Sequence, residues 1–129
     1  MLEHFYAPRN AGAFPADVPR IATGRAGAVR HGRKIEIQLQ IGADGRIAAC
    51  RYRVYGCPAT IALCSLASEH LPGMTLAEAS QWRGLALAEA SGLPAEKRAA
   101  VLVLEDAVRA AVRSYNDATL PLPTAADTG

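Results

Sequence analysis

The sequence predicts an α+β domain, a small antiparallel sheet of about three strands with helices packed on one of its faces. Three observations carry this. Polar and apolar residues alternate without interruption from Lys34 to Ile41, as in a strand with one face buried and the other wet. Gly42-Ala43-Asp44-Gly45 then supplies the residue types of a hairpin turn. From Pro58 onward the apolar spacing changes to the three-and-four-residue step of helices, and strands followed by helices place the helices together against the sheet.

Taken in order, Leu2 to Tyr6 reads as a short helical start ended by Pro8, and Asn10 to about Gly24 as an extended lead-in rich in Gly, Ala and Pro. A weak strand is expected over Arg25 to Arg30, and a firm one over Lys34 to Ile41. After the turn, Arg46 to Tyr55 returns as its partner, with Ala48, Cys50, Tyr52 and Val54 on one face and Arg51, Arg53 and Tyr55 on the other. Pro58 to about Leu71 is the first long helix, stopped at Pro72-Gly73. Thr75 followed by Glu78 is a capping-box pair that opens a second, short helix. A third runs around Leu85 to Ala90 and ends at Gly92. The last starts near Pro94, with Ala100, Leu104, Val108, Ala111 and Tyr115 on one stripe. Residues 1–118 form a single domain in this reading, and 119–129, with two prolines and a polar end, a disordered tail.

A chain of 129 residues with 50% hydrophobic content suffices for one core. The formal charge of +2, with no long basic run, argues against nucleic acid. No apolar stretch approaches the ~20 residues of a membrane helix, and no charged and apolar leader opens the chain, so a cytoplasmic protein is expected. Three cysteines at irregular spacing fit a reducing compartment rather than a disulfide framework or a zinc finger.

The chemistry concentrates at Tyr55-Gly56-Cys57-Pro58, where a strand runs into a helix. Gly56 permits a tight turn, Cys57 falls at the N-cap, and Pro58 suits the first helical position because its missing N–H costs nothing there. The open N–H groups of a helix end favour an anion, which raises the nucleophilicity or metal affinity of a thiol at that place. Cys50 and Cys64 lie on apolar stripes and read as core residues. His4 and His70 read as helix-surface residues.

That junction resembles the one in the IscU/NifU N-terminal family of iron–sulfur cluster assembly scaffolds. The likeness includes Glu3-His4-Phe5-Tyr6-Ala7-Pro8-Arg9-Asn10-Ala11-Gly12, similar to the family's opening helix and Pro-Arg-Asn-x-Gly turn, and extends through Leu93–Lys97 and Glu105–Ala111. It implies an IscU/SufE-like fold and a binding and carrier protein, not an enzyme, that works with a cysteine desulfurase or other iron–sulfur assembly factors. It also marks departures. His31-Gly32-Arg33 stands where the family has Cys-Gly-Asp, and Ala99-Ala100 where it has His-Cys. Cys57 and His31 are then the metal and cofactor-binding candidates, for an iron–sulfur cluster or for iron or zinc. Arg33 cannot ligate, but it would favour the ionised Cys57 thiol if the two positions converge as the family's do.

A two-iron cluster takes about four protein ligands, so two chains pooling Cys57 and His31 in a homodimer would be needed to supply them. The alternative is a metal-free paralogue that docks on a cysteine desulfurase or other assembly factor and regulates it. A thiol enzyme with His31 as the base of Cys57 lacks a third, orienting residue. Leu93-Pro94-Ala95-Glu96-Lys97 is similar to the Leu-Pro-Pro-Val-Lys segment that the family's Hsp70-type chaperone reads, but Glu96 would bury an unpaired charge there, which weakens that handover.

Overall fold

Three strands, β1 (Ile21–Ala28), β2 (Arg33–Ile41) and β3 (Ile47–Tyr55), form an antiparallel meander in that order in the computed structural model, which describes residues 8–90, 92 and 99–119. Four helices follow among the described residues: α1 (Pro58–His70), α2 (Leu76–Ser80), α3 (Leu85–Ala90) and α4 (Ala99–Thr119). The order of elements is the one expected. The opening helix at Leu2–Tyr6, the segment Leu93–Lys97 and the tail from 120 lie outside the described residues.

The β2–β3 hairpin forms as its sequence dictates. Gly45 takes the left-handed φ of 83° that glycine tolerates best, Gly45 N–H donates to Gly42 O (3.0 Å), and Asp44 Oδ1 accepts from Arg46 N–H (3.0 Å). One detail departs from strict alternation. The pairing slips between Gln40 and Ile41, so that Gln40 faces Ala49 and Ile41 faces Ile47. This bulge sends Ala48 to the exposed side and puts Ile47 in the core, which corrects the inward placement expected of Ala48.

The first strand is longer and earlier than the weak strand expected at Arg25–Arg30. It pairs with β2 along its whole length, from Ile21 opposite Gln40 to Ala28 opposite Arg33, and Val29–His31 forms a 3-10 turn instead. Its Ala and Gly residues conceal it as a strand, and α4 explains them. A Cβ on Gly24 would lie 2.2 Å from both Ala107 O and Ala111 N, on the backbone of α4. Small residues at Ala22, Gly24 and Ala26 let that helix rest on the sheet.

α1 and α4 share one face, as predicted. Ile35, Ile37 and Leu39 from β2, Cys50 and Tyr52 from β3, Leu63 and Ala67 from α1, and Leu104 and Val108 from α4 make one buried cluster. Each large aliphatic side chain there contributes roughly 1.5–3 kcal/mol by leaving water. The other face is not simply wet. Glu36 is buried at 7% exposure, and Gln38 and Gln40 are half-buried. Alternation identified these residues as outward, but outward side chains become buried when neighbouring arginines and the lead-in lie over them.

The lead-in is tied down by the Arg9-Asn10 pair. Arg9 N–H donates to Ser65 Oγ (2.7 Å) and Asn10 Nδ2 to Ser68 Oγ (3.0 Å), both on α1, while Arg51 Nη1 donates to Asn10 Oδ1 (2.8 Å). The polar start of that motif is thus a strap between helix and sheet, and it gives the buried Ser65 and Ser68 their partners.

Gly24→Ala should destabilise the protein by about 3 kcal/mol or more, because the methyl meets backbone that cannot rotate away. Gly45→Ala, with no heavy atom within 4 Å, should cost only the left-handed strain of about 1–2 kcal/mol. Urea midpoints of the two variants provide the comparison, and equal losses would show that α4 does not rest on β1 as described.

Candidate functional site

Cys57 occupies the N-cap of α1, with extended backbone (φ −79°, ψ 165°) and Pro58 in the first turn. The helix starts because Cys57 O accepts from both Thr60 N–H (2.9 Å) and Ile61 N–H (3.1 Å), and the first turn holds no acidic residue to compete for its positive end. The thiol itself makes no capping bond. Its Sγ lies 3.4 Å from Thr60 Oγ1, the hydroxyl one turn in, and it is half-buried. Gly56 matters through its missing side chain rather than through a special φ: a Cβ there would lie 3.2 Å from Thr60 Cβ. Thr60, almost wholly buried, therefore contacts the thiol and packs against the glycine before it. Sequence reasoning missed this residue, although Thr three positions after an N-cap is a legible signal of side-chain contact across the first turn.

The other candidates gather at the same end of the sheet. Lys34 pairs with Tyr55, so the β1–β2 turn lies beside the strand end that runs into Cys57. His31 is exposed on the 3-10 turn and makes no hydrogen bond or ion pair among the described residues. Arg33 is half-buried, and its Nε is enclosed with no hydrogen-bond partner among them. A Cβ on Gly27 would lie 3.1 Å from Val103 Cγ1, which brings the first turns of α4 against the same strand ends. Ala99 and Ala100 begin that helix, the first exposed and the second buried, and neither offers a donor atom.

The remaining thiols are sealed in the core. Cys50 is 2% exposed and Cys64 fully buried. Burial raises the Cys50 thiol from 9.0 to about 12, with Arg51 pulling slightly the other way, and burial followed by the nearby Cys50 pushes Cys64 up as well. These groups stay protonated and inert at neutral pH.

Among the described residues no three His, Cys, Asp or Glu side chains are grouped to hold a metal ion. Cys57 and His31 are thus two donors at one end of the sheet, short of the four that an iron–sulfur cluster takes.

The family model described as NifU-like N terminal domain matches residues 1–120. The chain belongs to this family. It is 36% identical over 115 residues to the iron–sulfur cluster assembly scaffold protein IscU of Azotobacter vinelandii, covering 89% of this chain and 90% of the relative. It is 32% identical to the IscU scaffold protein of Escherichia coli K12 over the same shares of the two chains. In fold it is similar to the N-terminal NifU-like protein of Brucella abortus, with a TM-score of 0.64 at 18% identity over 90% of this chain and 91% of that one. Of the three thiols, Cys57 is the one that is not buried.

Iodoacetamide at pH 8 should therefore alkylate Cys57 well before Cys50 or Cys64, as read by peptide mass spectrometry. The same burial predicts a loss of stability in alkali. Above pH 9 the unfolded chain releases the Cys50 proton that the folded chain holds until about 12, so stability falls across that window by up to ~1.4 kcal/mol per pH unit for that thiol. Cys50→Val should flatten the slope.

Proposed function

We propose that this NifU-like chain is an iron–sulfur cluster assembly scaffold in which Cys57 is the point of attachment for cluster, iron or sulfur, and that it acts as a carrier rather than as an enzyme. One observation supports this above others: the half-buried Cys57 stands at a helix N-cap, at the sheet end where His31 also lies, while the other two thiols are enclosed. The cluster is cargo here. His31 is the second donor, through a neutral imidazole nitrogen. With alanines at 99 and 100, a single chain falls short of the family's ligand set, and pooling Cys57 and His31 from two chains reaches four donors. The sulfur source in this reading is a cysteine desulfurase.

A second reading is favoured by the same alanines and by His31, which is exposed and has no partner among the described residues: a metal-free paralogue that docks on a desulfurase or another assembly factor and regulates it. Anaerobic reconstitution with iron and sulfide, followed by metal analysis of gel-filtration fractions, separates the two. The scaffold reading expects iron and sulfide to elute with a dimer and to be lost in Cys57→Ser and reduced in His31→Ala. Metal-free protein of unchanged size supports the paralogue, and a monomer carrying a complete two-iron cluster would contradict the pooled site.

Arg33 is the local cation in either case. Its Nε is enclosed without a hydrogen-bond partner among the described residues, and a cation nearby favours the thiolate. Arg33→Asp should slow alkylation of Cys57 near neutral pH several-fold without restoring cluster binding. Superimposable rate-against-pH curves for the two proteins would assign Arg33 to the surface alone.

A further inference from the structure

The chain's own lead-in lies over part of the sheet's outer face. Over the row Thr23–Gln38–Arg51, Phe14 N–H donates to Gln38 Oε1 (2.8 Å), and the Arg51 guanidinium stands 5.3 Å from the centre of the Phe14 ring. Beyond that row Arg25, Arg53 and Tyr55 are exposed among the described residues. The next row, Arg25–Glu36–Arg53, and the Lys34–Tyr55 pair two residues further along border a hollow of about 310 Å³.

Its construction is specific. Glu36 is buried and both of its oxygens are engaged: Arg25 Nη2 reaches Oε2 at 2.7 Å, and Arg53 reaches Oε1 through Nε and Nη2, each at 2.6 Å. The carboxylate holds two guanidiniums in place, yet their side chains remain 59% and 60% exposed. A guanidinium carries five N–H donors, and Glu36 takes one from Arg25 and two from Arg53, so most are left for a ligand. Lys34 is exposed and has no ion pair among the described residues. Three cations thus line the hollow, two of them paired to its one carboxylate. Tyr55, 54% exposed, adds an aromatic wall.

We propose that this hollow is the docking site for an acidic segment of a partner protein, one that presents at least two carboxylates to Arg25, Arg53 and Lys34 while packing on Tyr55. Charge complementarity identifies the partner. Guanidiniums bind carboxylates in a planar fork, and arginines already oriented by Glu36 lose little freedom when they do so. Arg and Tyr are also the residue types that dominate binding energy at protein interfaces. Nucleic acid fits less well, because it needs a long track of cations and the whole chain carries a formal charge of only +2. Free phosphate would leave Tyr55 unused. The hollow lies along β3, whose last residue, Tyr55, precedes Cys57 by two, so a partner held there sits against the strand that ends at the thiol. The inference is independent of what Cys57 carries.

The test is titration of the full ¹⁵N-labelled chain with a short synthetic peptide of alternating glutamate and serine, read by amide chemical shifts. Shifts should centre on Arg25, Lys34, Arg53 and Tyr55, and binding should weaken about ten-fold between roughly 0.05 and 0.5 M salt. Arginine variants would strand Glu36 and endanger folding, so Lys34→Glu is the main variant, expected to weaken binding about ten-fold with an unchanged melting temperature. Tyr55→Ser should weaken it less. Shifts located elsewhere, or equal affinity in Lys34→Glu, would overturn the proposal. Inorganic phosphate giving the same shifts at the same concentration would reduce the hollow to a simple anion site, and tighter binding of a DNA oligonucleotide would assign it to nucleic acid; either result overturns it.

Discussion

The contact on which the arrangement depends is the one between Gly24 and the backbone of α4. A helix normally rests on a sheet through side chains from both partners. Here one strand contributes almost nothing, and the helix backbone closes to where even a methyl group would collide with Ala107 and Ala111. That approach brings α4 over β1 and β2 together, and it sets the first turns of the helix against the β1–β2 turn near Val103. The end of the sheet where Cys57, His31 and Arg33 lie therefore has α4 as a wall. Ala99 and Ala100 open that wall, the second packed into the core, and neither carries a donor atom.

The two faces of the sheet are held by different physics. Toward the helices it is aliphatic burial, which is non-directional and tolerates the bulge at Ala48. On the outer face the cover is polar and specific: Glu36 between two arginines, and the lead-in strapped through Asn10. A buried carboxylate with both oxygens paired is costly to assemble and costlier to break, because losing one partner leaves charge in a poorly solvated place. The arginines over Glu36 are accordingly more constrained than their exposure suggests.

Much of this was legible in the sequence, and the failures are instructive. The β2–β3 hairpin followed from alternation and turn chemistry, Thr75 and Glu78 do form the reciprocal capping box, and the core stripe of α4 lies where its spacing put it. The start of β1 is hidden in the sequence because Ile21-Ala22-Thr23-Gly24 has no alternation to show; its small residues answer to a helix more than eighty positions away, which a local pattern cannot reveal. Alternation puts Ala48 on the wrong face because a bulge leaves no mark in composition. At the site, Cys57 could be read from the strand-to-helix junction alone. The relevance of His31 and Arg33 came through family resemblance, since only the pairing of strands brings their turn to that end. Alternation makes Glu36 an ordinary outward residue, and only the strand register places an arginine on either side of it.

The strap at Arg9 and Asn10 has a consequence for the order in which the chain can assemble. The sheet is a meander, so its hairpins close over short loops and can form early. The strap is different, for its hydrogen bonds to Ser65 and Ser68 span 56 and 58 residues. During synthesis the residues made early must wait until nearly all of α1 has left the ribosome before they find their partners. Until then the lead-in can be held only by its bonds to the strands, Gly12 N–H to Tyr52 O and Phe14 N–H to Gln38 Oε1, and the strap closes only once β3 and α1 are both in place.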